Sequence, residues 1–141
     1  MNGFLRVFII ALIGVLGVFV YGSYRCNHPE YKDILEKKLG IGELDCWSLV
    51  HFTLFTIIGY VTKPYSQMIF ALGLGVVWEL FEHYYGTERP GWLGGYGDCK
   101  NLASDKEEDG NWWYGKWTDI VMNLLGLLFG VGLRKVLFKS N

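Results

Sequence analysis

YSQMIFALGLGVVWELFEHY, residues 65–84, is a hydrophobic run that ends in charge. It is long enough for a helix that crosses a bilayer. Its last turns carry Glu79, Glu82 and His83 at positions i, i+3 and i+4, so one helical face presents two carboxylates and an imidazole. Ionisable groups at membrane depth are costly and mark function by default.

Three further runs have the same character: 7–22, 46–62 and 117–136. At 1.5 Å per residue each can cross about 30 Å of hydrocarbon, the second only just. The chain of 141 residues is 51% hydrophobic and 17% aromatic, a composition that fits a small helical membrane protein better than a soluble domain. The expected fold is all-α: a polytopic bundle of four transmembrane helices, residues 1–141 forming a single membrane domain. The first run, with Arg6 ahead of it and Val20-Tyr21-Gly22 as a passable cleavage context, has the form of a signal peptide. It is expected to stay as an uncleaved anchor. Lys63-Pro64 makes a tight hairpin between the second and third runs, which should therefore be neighbours, with Pro64 suited to a first helical turn.

Four crossings put Arg6, Lys63, Arg134, Lys135 and Lys139 on one side and the connections 23–45 and 85–116 on the other. Every Asp and Glu then falls on the loop side or at a helix end touching it, as do His28, His51 and His83 and the three cysteines, Cys26, Cys46 and Cys99. A wrong span count would scramble that partition. The density of cations in short flanks favours both termini in the cytoplasm, which is the expectation, while the larger total of Lys and Arg on the loop side favours the reverse. If the loop side is oxidising, one disulfide can tie the two loops and leave one thiol, and spacing does not choose the pair. A formal net charge of −1 and the lack of a basic cluster exclude nucleic acid as a partner.

Within the loops, Pro29–Leu39 reads as a short amphipathic interfacial helix, with Asn27 or His28 as cap, Tyr31, Ile34, Leu35 and Leu39 as its apolar stripe, and Gly40 as its stop. The second loop opens with glycines from Gly86 to Gly97, then carries a solvated charge cluster, Asp105–Asp109, that lacks the order of a calcium loop. Trp112, Trp113, Tyr114 and Trp117 have the composition of an interfacial belt.

The candidate site lies at the loop-side ends of the spans. His51 is about a turn and a half into the second, Glu79, Glu82 and His83 close the third, and Asp119 and Asn123 share a face of the fourth. Asp45 can cap the second helix through its carboxylate. Packed helices can converge these groups into one polar pocket, with Glu79, Glu82, His51 and Asp119 as candidate catalytic groups and His83, Asn123, Trp78 and Asp45 as candidate ligand contacts. Glu79, Glu82, His83 and His51 could bind a divalent metal, a relative of the Glu-x-x-His pattern of carboxylate bundles without its two-fold repetition. Paired acids near apolar walls could instead act as general acid and base, or the polar groups could only fix the register of the bundle. Gly126 and Gly130, extended by Gly132, Gly73 with Gly75, and Gly14 with Gly17 allow close backbone approach within the chain or between copies.

The order of His51 in one span, Glu79 and Glu82 ending the next, a glycine-rich loop, and Asp119-x-x-x-Asn123-x-x-Gly126-x-x-x-Gly130 resembles the VanZ-like membrane proteins, named for a member associated with teicoplanin resistance. The likeness covers roughly residues 46–133 and is most specific in its last portion. It implies a small helical membrane fold with a polar cluster beneath one face, and it nominates His51, Glu79, Glu82, Asp119 and Asn123. The chain departs from the family pattern in its longer acidic loop, in Trp78-Glu79 where the family often has Asp-Glu, and in Glu82 where Gln is common. The leading expectation is a pocket for a lipid headgroup or an envelope-linked ligand, with hydrolytic or transfer chemistry as an option. The alternative is a structural subunit of a larger assembly or viral envelope, docking protein partners through the loops or glycine ridges. Ion or proton translocation is a weaker third, because no acid reaches the bilayer centre.

Overall fold

The structure, a computed structural model, describes residues 2–28, 34–88 and 114–138. It is all-α: α1 Gly3–Asn27, α2 Cys46–Val61, α3 Tyr65–Glu88 and α4 Trp117–Phe138. Two of these, α1 and α4, are long and apolar enough to cross a membrane, and α2 is a shorter apolar helix. The 16 residues of α2 span about 24 Å at the usual rise. α3 is long enough at 24 residues, but its charged last turns dilute its apolar character. Gly86 does not open a loop as expected; it is buried inside α3, which continues to Glu88.

The contacts along the helices give their directions. Gly3 of α1 lies at Gln67 of α3, Phe4 meets Phe70, and Phe19 meets Trp78 and Phe81, so α1 and α3 are parallel. Ser48 pairs with Asp119, His51 with Asn123 and Tyr60 with Arg134, so α2 and α4 are parallel. Gly14 meets Leu54 while Tyr21 meets Trp47, so α1 and α2 are antiparallel. The bundle runs up, down, up, down. The α1–α2 connection and the segment leading into α4 therefore share one end, and the Lys63-Pro64 turn lies at the other.

The hairpin partners α2 and α3 are not the closest pair. α2 packs most extensively on α4, and glycine is the reason. A Cβ on Gly59 would run into the Leu127 carbonyl, one on Gly126 into the Phe52 carbonyl, and one on Gly130 into the Thr56 carbonyl. With no Cβ in the way the two backbones touch. Backbones this close are placed for Cα–H···O contacts, which are worth roughly 0.5–1 kcal/mol each where they form. The Gly126–Gly130 ridge is thus used inside the chain. Gly17, Gly73 and Gly132 face open space. Arg134 Nη1 donates to the Gly59 and Tyr60 carbonyls at 3.4 Å each, which covers acceptors left over at the end of α2.

The short interfacial helix is corrected in its described part. Residues 34–39 are not helical; residues 29–33 lie outside the described residues. The segment turns through Gly40 and Gly42, whose φ of 77° and 55° favours glycine, and Lys38 bridges Asp45. The Leu39 N–H donates to Leu44 O at 2.9 Å, the Cys46 N–H to Lys37 O at 3.2 Å and the Trp47 N–H to Leu35 O at 3.0 Å. The physical reason is the start of α2: its first N–H groups have no partner within the helix, and the carbonyls of this segment supply one. At the other end, Pro64 precedes α3, and its carbonyl accepts the Gln67 N–H at 3.1 Å.

The distribution of side chains is inverted relative to a water-soluble core. Val7, Phe55, Ile58, Ala71 and Leu127 form a small apolar centre. Asp45, Ser48, Thr62, Glu79, Thr118, Asp119 and Asn123 are just as deeply buried. Meanwhile Leu16, Val20, Ile69, Val77, Leu128, Phe129 and Val136 are exposed, more apolar surface than a soluble monomer ordinarily leaves open.

Candidate functional site

Asp45 starts the site. Its side chain accepts the Ser48 N–H at 3.0 Å and Ser48 Oγ reaches back toward the Asp45 N–H, a capping box that opens α2. The expected N-cap role of Asp45 is observed. Ser48 then has a second duty that its sequence position did not suggest. Its Oγ lies 2.5 Å from Asp119 Oδ1 and 3.2 Å from Asp45 Oδ1. A hydroxyl has one proton, and the shorter contact assigns it to Asp119. Asp119 sits in the first turn of α4, where the helix N-terminus favours a carboxylate.

One turn further in, His51 and Asn123 face each other, with Nδ1 3.0 Å from Asn123 Oδ1. The same Nδ1 is 3.6 Å from Glu79 Oε1, beyond hydrogen-bond range. Glu79, 5% exposed, comes from α3. Its Oε2 accepts the Lys116 N–H at 2.8 Å, while its buried Oε1 has no hydrogen-bond partner. Glu82 lies one turn along α3 and is hydrogen-bonded by the Trp78 side chain. One ligand atom each from His51, Glu79 and Glu82 falls within 4.8 Å of the other two.

A strap closes the site. Gly115 passes so near α3 that a Cβ would strike the Glu79 carbonyl and sit 3.2 Å from His83 N. Glycine at 115 therefore lets the Lys116 N–H reach Glu79. On either side, Tyr114 OH donates to Asp45 Oδ2 at 3.3 Å and Lys116 Nζ forms an ion pair with the same oxygen. Nζ also lies 4.3 Å from the centre of the Tyr114 ring, a cation–π contact. Burial, then the Asp45 charge, raises the Tyr114 phenol far above its ordinary range, so it stays a donor. Beneath the strap is a cavity of ≈ 20 Å³ lined by Val18, Trp47, His51, Glu82, Tyr114 and Asp119. That is room for one water or ion.

Most of the residues nominated from sequence meet here. His51, Glu79, Glu82, Asp119, Asn123 and Asp45 lie in one connected layer. Trp78 joins through Glu82 and belongs to an aromatic stack with Phe81 at 5.4 Å and, beyond it, Tyr85. His83 is exposed and stands outside the His51–Glu79–Glu82 group. Ser48, Tyr114, Gly115 and Lys116 were not nominated. A Ser three residues after a capping Asp was the available signal for the first. Nothing in the sequence marked the strap, and Tyr114 is tied to Asp45 instead of serving in an interfacial belt. Trp117 is exposed, as a belt residue would be. The Asp105–Asp109 cluster, Trp112 and Trp113 lie outside the described residues. Cys26 is disulfide-bonded and Cys46 is a free thiol; Cys99 lies outside the described residues.

Chemically, the layer offers an imidazole beside a carboxylate with a free oxygen, which can exchange a proton with a bound water or group, and a His/Glu trio that could hold a metal ion. No protein-family model matches the chain, and neither the curated proteins nor the solved structures include a significant match.

Proposed function

We propose that the chain is an integral membrane protein that crosses the bilayer four times, in the manner of the VanZ-like proteins. Its loop-side layer engages a lipid headgroup or envelope-linked ligand. The observation that carries this reading is the inverted burial: Glu79, Asp119 and Asn123 are enclosed while leucine, valine and phenylalanine side chains cover the outside. Lipid makes that outside favourable, and a polar interior at one interface is then a site. The disulfide at Cys26 fits an oxidising compartment at the loop end. The end carrying Arg6, Lys63, Arg134 and Lys135 faces the cytoplasm.

The size of the cavity limits what enters. A whole headgroup is far larger than a water, so only the reacting or bound atom reaches His51 and Glu82. The rest of the ligand stays outside, near Trp47 and Tyr114. In this reading His51 and Glu79 move a proton at that atom, and Asp119 and Asn123 hold the layer in register. The structural-subunit alternative loses Gly126 and Gly130, which are spent on the α2–α4 contact, and retains only the outward Gly17, Gly73 and Gly132.

Reconstitution in nanodiscs of mixed phospholipids tests the reading, with mass spectrometry of the lipids retained. One headgroup class should be enriched with the wild-type chain and lost with Glu79→Gln and Glu82→Gln at unchanged helix content. Identical lipid retention in all three would contradict it.

A further inference from the structure

We propose that His51, Glu79 and Glu82 bind a single divalent transition-metal cation beside the cavity that His51 and Glu82 line. This deepens the headgroup reading and rests on it for the biological role, but the site stands on its own geometry. Donors around one ion at about 2.0–2.2 Å stand at most about 4.4 Å apart. The three ligand atoms already lie within 4.8 Å of one another, so sub-ångström adjustments complete the set. Glu79 Oε1 is buried, lacks a hydrogen-bond partner and lies 3.6 Å from the imidazole. A buried carboxylate oxygen left in that state is costly, and a cation satisfies it. Lys116 does not, because its ammonium is committed to Asp45 and reaches Glu79 only through its backbone N–H.

Charge points the same way. Asp45, Glu79, Glu82 and Asp119 meet in one layer, and Lys116 is the cationic side chain acting on it among the described residues. Ionised together, Glu79 and Glu82 would have no cation beside them other than Lys116, whose ammonium is paired with Asp45, and a divalent ion at the trio would supply the missing charge. The cavity of ≈ 20 Å³ beside His51 and Glu82 has room for one ion or water.

The donor set selects the ion. One imidazole and two carboxylates suit Mn²⁺, Fe²⁺ or Zn²⁺. Calcium wants six to eight oxygens, and Glu79 Oε2 is already taken by Lys116. No thiol joins the group, which argues against soft ions. Three protein donors leave at least one position open. That position faces the cavity below Tyr114, where the metal would polarise a bound water or a headgroup oxygen.

The test uses the full chain purified in detergent, stripped with chelator and titrated with Mn²⁺ and with Zn²⁺ in the absence of added lipid. Bound metal is counted by elemental analysis, and Trp78, hydrogen-bonded to Glu82, provides a fluorescence signal. The expected result is one ion per chain, an affinity loss of a hundredfold or more in Glu82→Gln and His51→Gln, and no change in Glu88→Gln, whose carboxylate is exposed on the same helix. Circular dichroism identifies a variant that misfolds, and Glu82→Gln, partly exposed, keeps the test alive if His51→Gln fails to fold. Absence of stoichiometric metal, or equal retention by the Glu82 variant, overturns the proposal. Headgroup enrichment by a wild-type chain that binds no metal would overturn the cation and leave the headgroup reading standing.

Discussion

The same two helices, α2 and α4, meet in two different ways. In the middle of the bundle they touch backbone to backbone through Gly59, Gly126 and Gly130. Toward the loop end they are joined by His51–Asn123, within a turn of Gly126, and by Ser48–Asp119 a turn further on. The first contact uses the smallest residue and tolerates no change in volume. The second uses polar groups that a tightly packed apolar seam would not need. In a lipid environment both kinds of contact hold helices together, but the second includes a buried group without a hydrogen-bond partner, Asn123 Nδ2, and stands beside another, Glu79 Oε1 of α3. The seam holds the bundle, and the polar layer is where the proposed ligand would bind.

The contrast predicts a hierarchy of effects. Gly130→Leu should be the most damaging substitution. Its side chain would meet the Thr56 carbonyl and the Tyr60 N, backbone groups that cannot rotate away. A loss of about 3 kcal/mol or more is expected, read by equilibrium unfolding in mixed micelles. Gly17→Leu is its control: nothing lies within 4 Å, so stability should change by no more than about 0.5 kcal/mol. Equal damage from both would erase the distinction between seam and surface.

Asp45→Ala comes next. It removes the α2 cap and releases both Tyr114 and Lys116. The cap is worth about 1 kcal/mol and the freed partners add to it, so a loss of about 2 kcal/mol is expected. Proteolysis should also quicken near residue 114. Asn123→Leu should cost about 1 kcal/mol by deleting the bond to His51. A gain in stability would show that Asn123 is kept for the site alone.

The smallest effect concerns pH. The native chain holds the Tyr114 proton that the unfolded chain releases near pH 10. Above that pH the unfolded state binds fewer protons than the native one, so stability falls as pH rises. This contribution is intact below about pH 10, and Tyr114→Phe should flatten the alkaline decline. An unchanged decline would locate the titration elsewhere.

Much of this was legible from residue order. The apolar runs foretold four helices, the partition of acids foretold a shared end, and helical spacing placed Asp119 and Asn123 on one face. Asp45 announced its cap. What stayed hidden depends on tertiary approach. Pro29–Leu39 has helical periodicity, yet residues 34–39 answer the unpaired N–H groups of α2 instead. Gly115 looks like any loop glycine until α3 is seen beside it, and the Gly126–Gly130 ridge could have faced another chain. His83 shares a helical face with Glu79 by spacing, but α3 presents it outward while turning Glu79 and Glu82 in.

A double-mutant cycle on His51→Gln and Glu79→Gln tests most directly whether α2 and α3 bring these groups together. Equilibrium unfolding of the two single variants and the double variant gives the coupling. Groups 3.6 Å apart should show a coupling energy of about 0.5–3 kcal/mol, of either sign. Strict additivity would mean that the imidazole and the carboxylate do not meet, and the layer described above would not exist.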